Sequence, residues 1–477
     1  MYRMILILIA SAAGIACKAT DKPMEVAKPN IVFILADDLG YGDIGVYGQE
    51  KIETPNLDAL AKGGMLFTQH YSGTTVCAPS RAALMTGLHT GHTPIRGNFE
   101  IQPEGQFPMP DTLMLLPRML QEAGYVTGAF GKWGLGMVGT TGDPNRQGFD
   151  TFFGYNCQRQ AHRYFPEYLW HNAEKVILEG NDWTSKKTFA PELIHQQSME
   201  FIAANKDRPF FLYVPMIMPH AELAVIEDAV FHKYRSKFGE ETPYQAPPGH
   251  DYGPDILIPG YKSVSYPRAT YAAMVEMLDR QVGELVQQLK AQGIYEQTLI
   301  VFSSDNGPHQ EGGNDPDFFN SNGGLKGYKR DLYEGGIRVP LIMHWPGKIQ
   351  AGSRSDHVSA FWDLMPTFAE VAGATVPKNI DGISLVPTLT GQKQAAHDFL
   401  YWEFVELGGR QAIRKGNWKA VKYDLRTASN KPIELYRLDL DPSESDNVAA
   451  HHPEVISEME KLFKEAHLPN PQFPLFK

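Results

Sequence analysis

Five stretches of this chain are apolar without polar alternation: 30–36, 125–130, 208–214, 298–304 and 339–343. Continuous apolar runs of this length are the pattern of strands buried on both faces of a parallel sheet. Helical periodicity lies between them. Thr54 and Pro55 open one helix as cap and first-turn proline, and Pro117 disturbs another over 112–124. The clearest helix spans 266–292, where Tyr271, Val275, Leu278, Val282, Leu285 and Leu289 share one face and Gly293 follows as a stop. Residues 222–261 read as an irregular excursion around the breaker cluster Gln245-Ala246-Pro247-Pro248-Gly249. Past Ser384 the pattern changes to short antiparallel strands within 412–423 and 434–438, a turn at Asp441-Pro442-Ser443-Glu444, and a final helix over 453–466. The predicted fold is α/β. A mostly parallel central sheet sandwiched by helices occupies 28–385, and a smaller C-terminal antiparallel-sheet subdomain occupies 386–477.

Composition narrows the partners. A net charge of −11 without a long basic run argues against nucleic acid. The start, Met1-Tyr2-Arg3 followed by an apolar run and small residues, reads as a signal peptide too short to span a membrane. It ends in Gly14-Ile15-Ala16-Cys17, similar to a bacterial lipobox, with Gly14 where an aliphatic residue is usual. Lipid attachment at Cys17 and ordinary cleavage nearby are the alternatives. The protein is therefore expected to be exported, either periplasmic or lipid-anchored to the cell envelope through Cys17 alone. Of three cysteines, Cys17 belongs to this leader, leaving Cys77 and Cys157 with no disulfide expected.

Several apolar runs end in reactive side chains. Asp37-Asp38 and Asp305-Asn306 follow two of them, and the ends of parallel strands are where open α/β sheets hold ligands. Together they offer oxygen ligands for one divalent cation. Lys132 follows a third run within a glycine-rich segment, and His220 follows a fourth. Cys77-Ala78-Pro79-Ser80-Arg81 opens an apolar helix whose first-turn amides and Arg81 would suit a sulfate or phosphate group.

The run Cys77 to Arg81 followed by Thr86-Gly87 resembles the signature of the type I, formylglycine-dependent sulfatases, arylsulfatase-like members of the alkaline phosphatase superfamily. Gly131-Lys132-Trp133-Gly134-Leu135-Gly136, Pro219-His220 and Lys329 with Tyr333-Glu334-Gly335-Gly336 match further family motifs in order. The resemblance implies hydrolysis of sulfate esters on a sulfated saccharide. It implies that a sulfatase-maturing enzyme converts Cys77 to formylglycine, and that Asp37, Asp38, Asp305 and Asn306 hold Ca2+ with residue 77 completing the shell. Arg81, Lys132 and Lys329 would then meet the sulfate, and His220 would protonate the leaving alcohol. Gly134 replaces a family histidine that assists the nucleophile. His162 is a candidate for that role, or for recognising substrate hydroxyls with Arg159; Arg96 is a third candidate for substrate contact. Two other readings share the pattern: a formylglycine-type phosphoesterase or phosphonate hydrolase, and a non-catalytic binder of sulfated glycans.

Overall fold

The computed structural model describes residues 28–101, 104–182, 185–247, 261–427 and 431–476. The leader and lipobox at 1–17 lie outside them, as do Pro248 and Gly249. The central sheet contains β1 (Asn30–Ala36), β2 (Met65–Tyr71), β3 (Val126–Lys132), β4 (Thr151–Tyr155), β5 (Tyr168–His171), β6 (Glu174–Ile177), β7 (Phe210–Pro215), β8 (Thr298–Ser304), β9 (Arg338–His344), β10 (Ser353–Ser355) and β11 (Ser359–Ala360). Its order is β10-β2-β9-β8-β1-β7-β3-β4-β5-β6, with β11 also on β2. The five strands β8-β1-β7-β3-β4 run parallel, so their carboxyl ends open on one edge. That edge carries the site.

Alternation along β1 divides the core. Val32, Ile34 and Ala36 face α1 (Pro55–Gly63), α4 (Ala190–Asn205), α5 (Ala229–Phe238) and α6 (Pro267–Ala291). Ile31, Phe33 and Leu35 face α2 (Cys77–Thr86), α3 (Leu116–Glu122) and the helix Leu364–Ala372. A strand covered on both faces has no use for polar positions, which is why these runs do not alternate.

The remaining residues form an antiparallel sheet of β12 (Leu400–Phe404), β13 (Arg410–Lys415), β14 (Trp418–Lys422) and β15 (Glu434–Arg437). One face packs Trp402, Phe404 and Val421 against Tyr71, Ala83 and Trp362, while the other packs Ile413 and Leu435 against Met459 and Phe463 of the last helix. Phe473 and Leu475 then return to the core beside α3.

Three local expectations change. Pro117 lies in the first turn of α3 and starts the helix, because a first-turn residue needs no N–H partner. Thr54 precedes α1 without capping it; its hydroxyl is engaged by the Gly45 N–H and Asp58. The excursion after Glu222 contains α5, capped by the Asp228 carboxylate and anchored by buried Phe231 and Tyr234.

Candidate active site

Two acidic strand ends meet because β1 pairs in register with β8. Asp37, Asp38, Asp305 and Asn306 are all fully buried. Asp38 sits at φ 63°, a left-handed conformation that aspartate tolerates better than most residues and that concentrates at functional sites. Its N–H donates to Asp305 Oδ1 at 3.1 Å, and the Asn306 amide donates to Asp38 Oδ1 at 2.7 Å.

Helix α2 brings Cys77 and Arg81 to this floor. Arg81 bonds Asp305 Oδ2 through Nε at 3.1 Å and NH2 at 2.8 Å, approaches Asp37 at 3.3 Å, and donates to the Lys132 carbonyl. Lys132 Nζ lies 2.6 Å from Asp37 Oδ2 and 3.4 Å from Cys77 Sγ. The first-turn amides of α2 are largely committed: Ala78 N–H donates to Asn98 Oδ1 at 3.1 Å, Pro79 has none, and Ser80 N–H donates to the Val76 carbonyl. An anion here is therefore met by side-chain cations more than by helix amides, contrary to the sequence expectation.

Lys329 arrives on the loop before Glu334, whose backbone is tied at Pro308 and Thr75 by the N–H groups of Lys329 and Arg330. Its Nζ lies 2.8 Å from Asp38 Oδ2, 3.1 Å from His220 Nε2 and 3.4 Å from Glu311. His220 Nδ1 faces the Ala221 carbonyl, so the hydrogen-bond network assigns the proton to Nδ1 and leaves Nε2 as an acceptor. The predicted set Cys77, Arg81, Lys132, His220, Lys329, Asp37, Asp38, Asp305 and Asn306 is thus brought together.

Burial governs the protonation states. It pushes the Cys77 thiol far up, with Asp37 adding and Lys132 opposing, so the thiol stays protonated and unreactive. Burial also lifts Asp37, but Lys132, His220, Arg81 and Lys329 together hold it well below the usual carboxylate range. Asp305 is pushed up to about 7 by burial and by Asp37, against Arg81. Three carboxylates in one dry floor, with the Asn306 Oδ1 buried and without a partner among the described residues, fit a divalent cation that takes oxygen ligands.

The recognition candidates separate. His162 stacks on His220 with ring centroids 4.6 Å apart and contacts Tyr261, placing it on the pocket wall. Burial and His220 depress its pKa, keeping it neutral. Arg159 is half-buried and ion-paired with Glu100. Arg96, expected to touch substrate, is only 3% exposed and holds Glu403, the Thr93 carbonyl and the Leu468 carbonyl. It fastens the C-terminal sheet to the core instead. Sequence reasoning passed over Glu311 and His309, which flank Lys329 and His220. Their signal was proximity to Asp305-Asn306 along the chain.

A second cluster, His89, His92 and Asp381, has liganding atoms close together. His89 Nδ1 accepts the Gly91 N–H, so its Nε2 carries the proton toward Asp381 and is no metal donor.

A parallel sheet ending in carboxylates, cations and a helix-borne cysteine forms a site suited to an anionic ester. The Sulfatase family matches residues 29–374, and the family described as N-sulphoglucosamine sulphohydrolase, C-terminal, matches 326–468. N-acetylgalactosamine-6-sulfatase of Canis lupus familiaris is 30% identical, the match covering 98% of this chain and 85% of that protein. Arylsulfatase A of Homo sapiens is 32% identical over 96% and 89%. The crystal structure of Ps i-CgsB in complex with k-i-k-neocarrahexaose is similar with a TM-score of 0.76 and 31% identity, over 92% of this chain and 93% of that one. The chain belongs to the sulfatase family. It is a sulfuric ester hydrolase.

Proposed function

We propose that this sulfatase removes sulfate from a carbohydrate of galactose type, with formylglycine formed from Cys77 and with calcium held by Asp37, Asp38, Asp305 and Asn306. The observation that carries the reading is Cys77 itself: an inert buried thiol 3.4 Å from Lys132, at the centre of a charged floor. A thiol so placed is a poor nucleophile, and its oxidation to an aldehyde removes that difficulty. The hydrated aldehyde supplies a nucleophilic oxygen and a second hydroxyl through which sulfate is released. Calcium, when bound, polarises the sulfate oxygens.

The chain's own residues do the rest. Lys132 and Lys329 flank position 77 and the His220 ring, ready to balance charge on the transferring group. Arg81 holds Asp37 and Asp305 in place and keeps the floor from opening. His220 Nε2 accepts from the Lys329 ammonium, and this pair holds the proton that passes to the departing alcohol. A saccharide substrate is supported by the N-acetylgalactosamine-6-sulfatase relatives and by the k-i-k-neocarrahexaose bound in the similar structure. Maturation requires a sulfatase-maturing enzyme, and the leader at 1–17 supports export to the periplasm or anchoring at Cys17.

The test is the mass of tryptic peptide 63–81 from protein produced with a maturing system, followed by turnover of 4-nitrophenyl sulfate and 4-nitrophenyl phosphate. An aldehyde at 77, calcium-dependent turnover and preference for the sulfate are expected. An intact thiol in protein that still turns over would overturn the nucleophile; preference for the phosphate would overturn the reaction.

A further inference from the structure

Gly134 breaks the family pattern, and the structure shows what stands in its place. The residue lies at φ 76°, and a Cβ built on it would fall 2.0 Å from the Gln158 side-chain nitrogen. No side chain fits at 134 while Gln158 holds that position. The Gly134 N–H donates to the Asn156 carbonyl at 3.0 Å, continuing the β3–β4 ladder two residues beyond Lys132. Asn156 and Gln158 therefore sit at the carboxyl edge of the sheet, just past the end of the strand next to the one that delivers Lys132 to Cys77.

Both side chains are more than nine-tenths buried, at 0% and 4% exposure. Neither oxygen nor nitrogen of either amide has a hydrogen-bond partner among the described residues. Their backbone, by contrast, is held: the Asn156 carbonyl accepts the Gly134 N–H, and the Gln158 N–H donates to Gln106 Oε1. Four polar atoms without partners among the described residues are costly, since each buried unpaired group forfeits its hydration. A packing role would be filled better by apolar side chains.

We infer that Asn156 and Gln158 form a neutral amide subsite for the hydroxyl groups of the sugar ring that carries the sulfate, with the Gln158 carboxamide taking the space that a side chain at 134 would otherwise fill. The inference rests on the saccharide sulfatase reading above. Each carboxamide offers both donors and an acceptor, matching hydroxyls, which also do both. A second anionic group would find no cation in this pair, and the neighbouring Arg159 is already neutralised by Glu100. The floor thus reads the sulfate while the amides read its carrier.

The test uses the matured, calcium-loaded enzyme and the near-isosteric variants Gln158→Met and Asn156→Leu. Kinetics are measured on 4-nitrophenyl sulfate and on the best saccharide in a panel of sulfated galactose, N-acetylgalactosamine and carrageenan oligosaccharides. Because the amides have no protein partners, each variant is expected to melt at or above the wild-type temperature. Saccharide kcat/KM is expected to fall about tenfold, mainly through KM, with aryl sulfate kcat/KM changing less than about threefold. Lower melting temperatures with parallel losses on both substrates would mean a packing role and overturn the subsite. Unchanged saccharide kinetics would overturn it too. A wild-type enzyme that turns over the aryl sulfate but no saccharide in the panel would remove the subsite and leave the sulfatase reading standing; no turnover of either would remove both.

Discussion

The floor and the wall of this pocket are built by opposite rules. On the floor, Asp37, Asp38, Asp305, Arg81, Lys132 and Lys329 are fully or almost fully buried, and every charge has an opposite within 3.3 Å. On the wall, Asn156 and Gln158 are equally buried, carry no charge, and their side chains have no partner among the described residues. A sulfate group is the same in every substrate, so its surroundings can be fixed in advance by mutually restrained charges. The alcohol differs between substrates, and neutral groups without protein partners leave their hydrogen bonds for whatever alcohol arrives. The charged half thus sets reaction class and the neutral half sets choice.

The comparison breaks most completely at Cys77. Cys77→Ala is expected to reduce turnover of aryl and saccharide sulfates alike by on the order of 10^4-fold or more, as loss of a nucleophile does. Single-turnover kinetics check it; unequal losses on the two substrates would show that the floor also reads the alcohol. Next comes Lys329→Met. Removing one charge-stabilising donor costs about 10²- to 10³-fold in kcat, again on both substrates. A loss confined to KM would instead make Lys329 a general binding residue.

His220 stands between the two halves, since it lies on the floor yet acts on the leaving alcohol. His220→Gln is expected to slow saccharide turnover by about 10²-fold or more. Aryl sulfate turnover should fall much less, because a nitrophenolate leaves without a proton. Equal losses would move His220 to positioning Lys329, whose ammonium lies 3.1 Å from Nε2.

The same division explains what could be read in the sequence. Asp37, Asp38, Asp305 and Asn306 were legible because an uninterrupted buried strand must end in solvent or in a site, and two such ends were acidic. Cys77, Lys132 and Lys329 were legible through motif order. Asn156 and Gln158 were not, because an amide in a polar segment is the commonest sight on a surface loop; only burial without partners distinguishes them. Strands β2, β4 and β12 were missed for a related reason. Met65–Tyr71 interleaves Thr68, Gln69 and His70 with its apolar residues, and the polar ones find neighbours in Ser355, Asp356 and Ser359 that only the folded sheet supplies.

Two arginines sharpen the distinction further, with smaller effects on catalysis. Arg96 and Arg159 looked alike in sequence, each a cation in a polar segment near a motif. In the structure Arg96 is buried against Glu403, which also accepts from Tyr401 and faces His467, so removing the guanidinium strands a buried carboxylate. Arg96→Met is expected to destabilise the fold by about 3–5 kcal/mol, read by denaturant unfolding, with kcat within about threefold of wild type wherever the protein is folded. Arg159 is about 29% exposed, and its ion pair with Glu100 is worth about 0–1 kcal/mol to the fold. Arg159→Ala should therefore leave unfolding almost where it was, and a several-fold rise in saccharide KM would extend the recognition wall from Gln158 to its neighbour in the chain. Were Arg159→Ala to destabilise the protein as Arg96→Met does, Arg159 would belong with the ionic framework, and the neutral wall would end at Gln158.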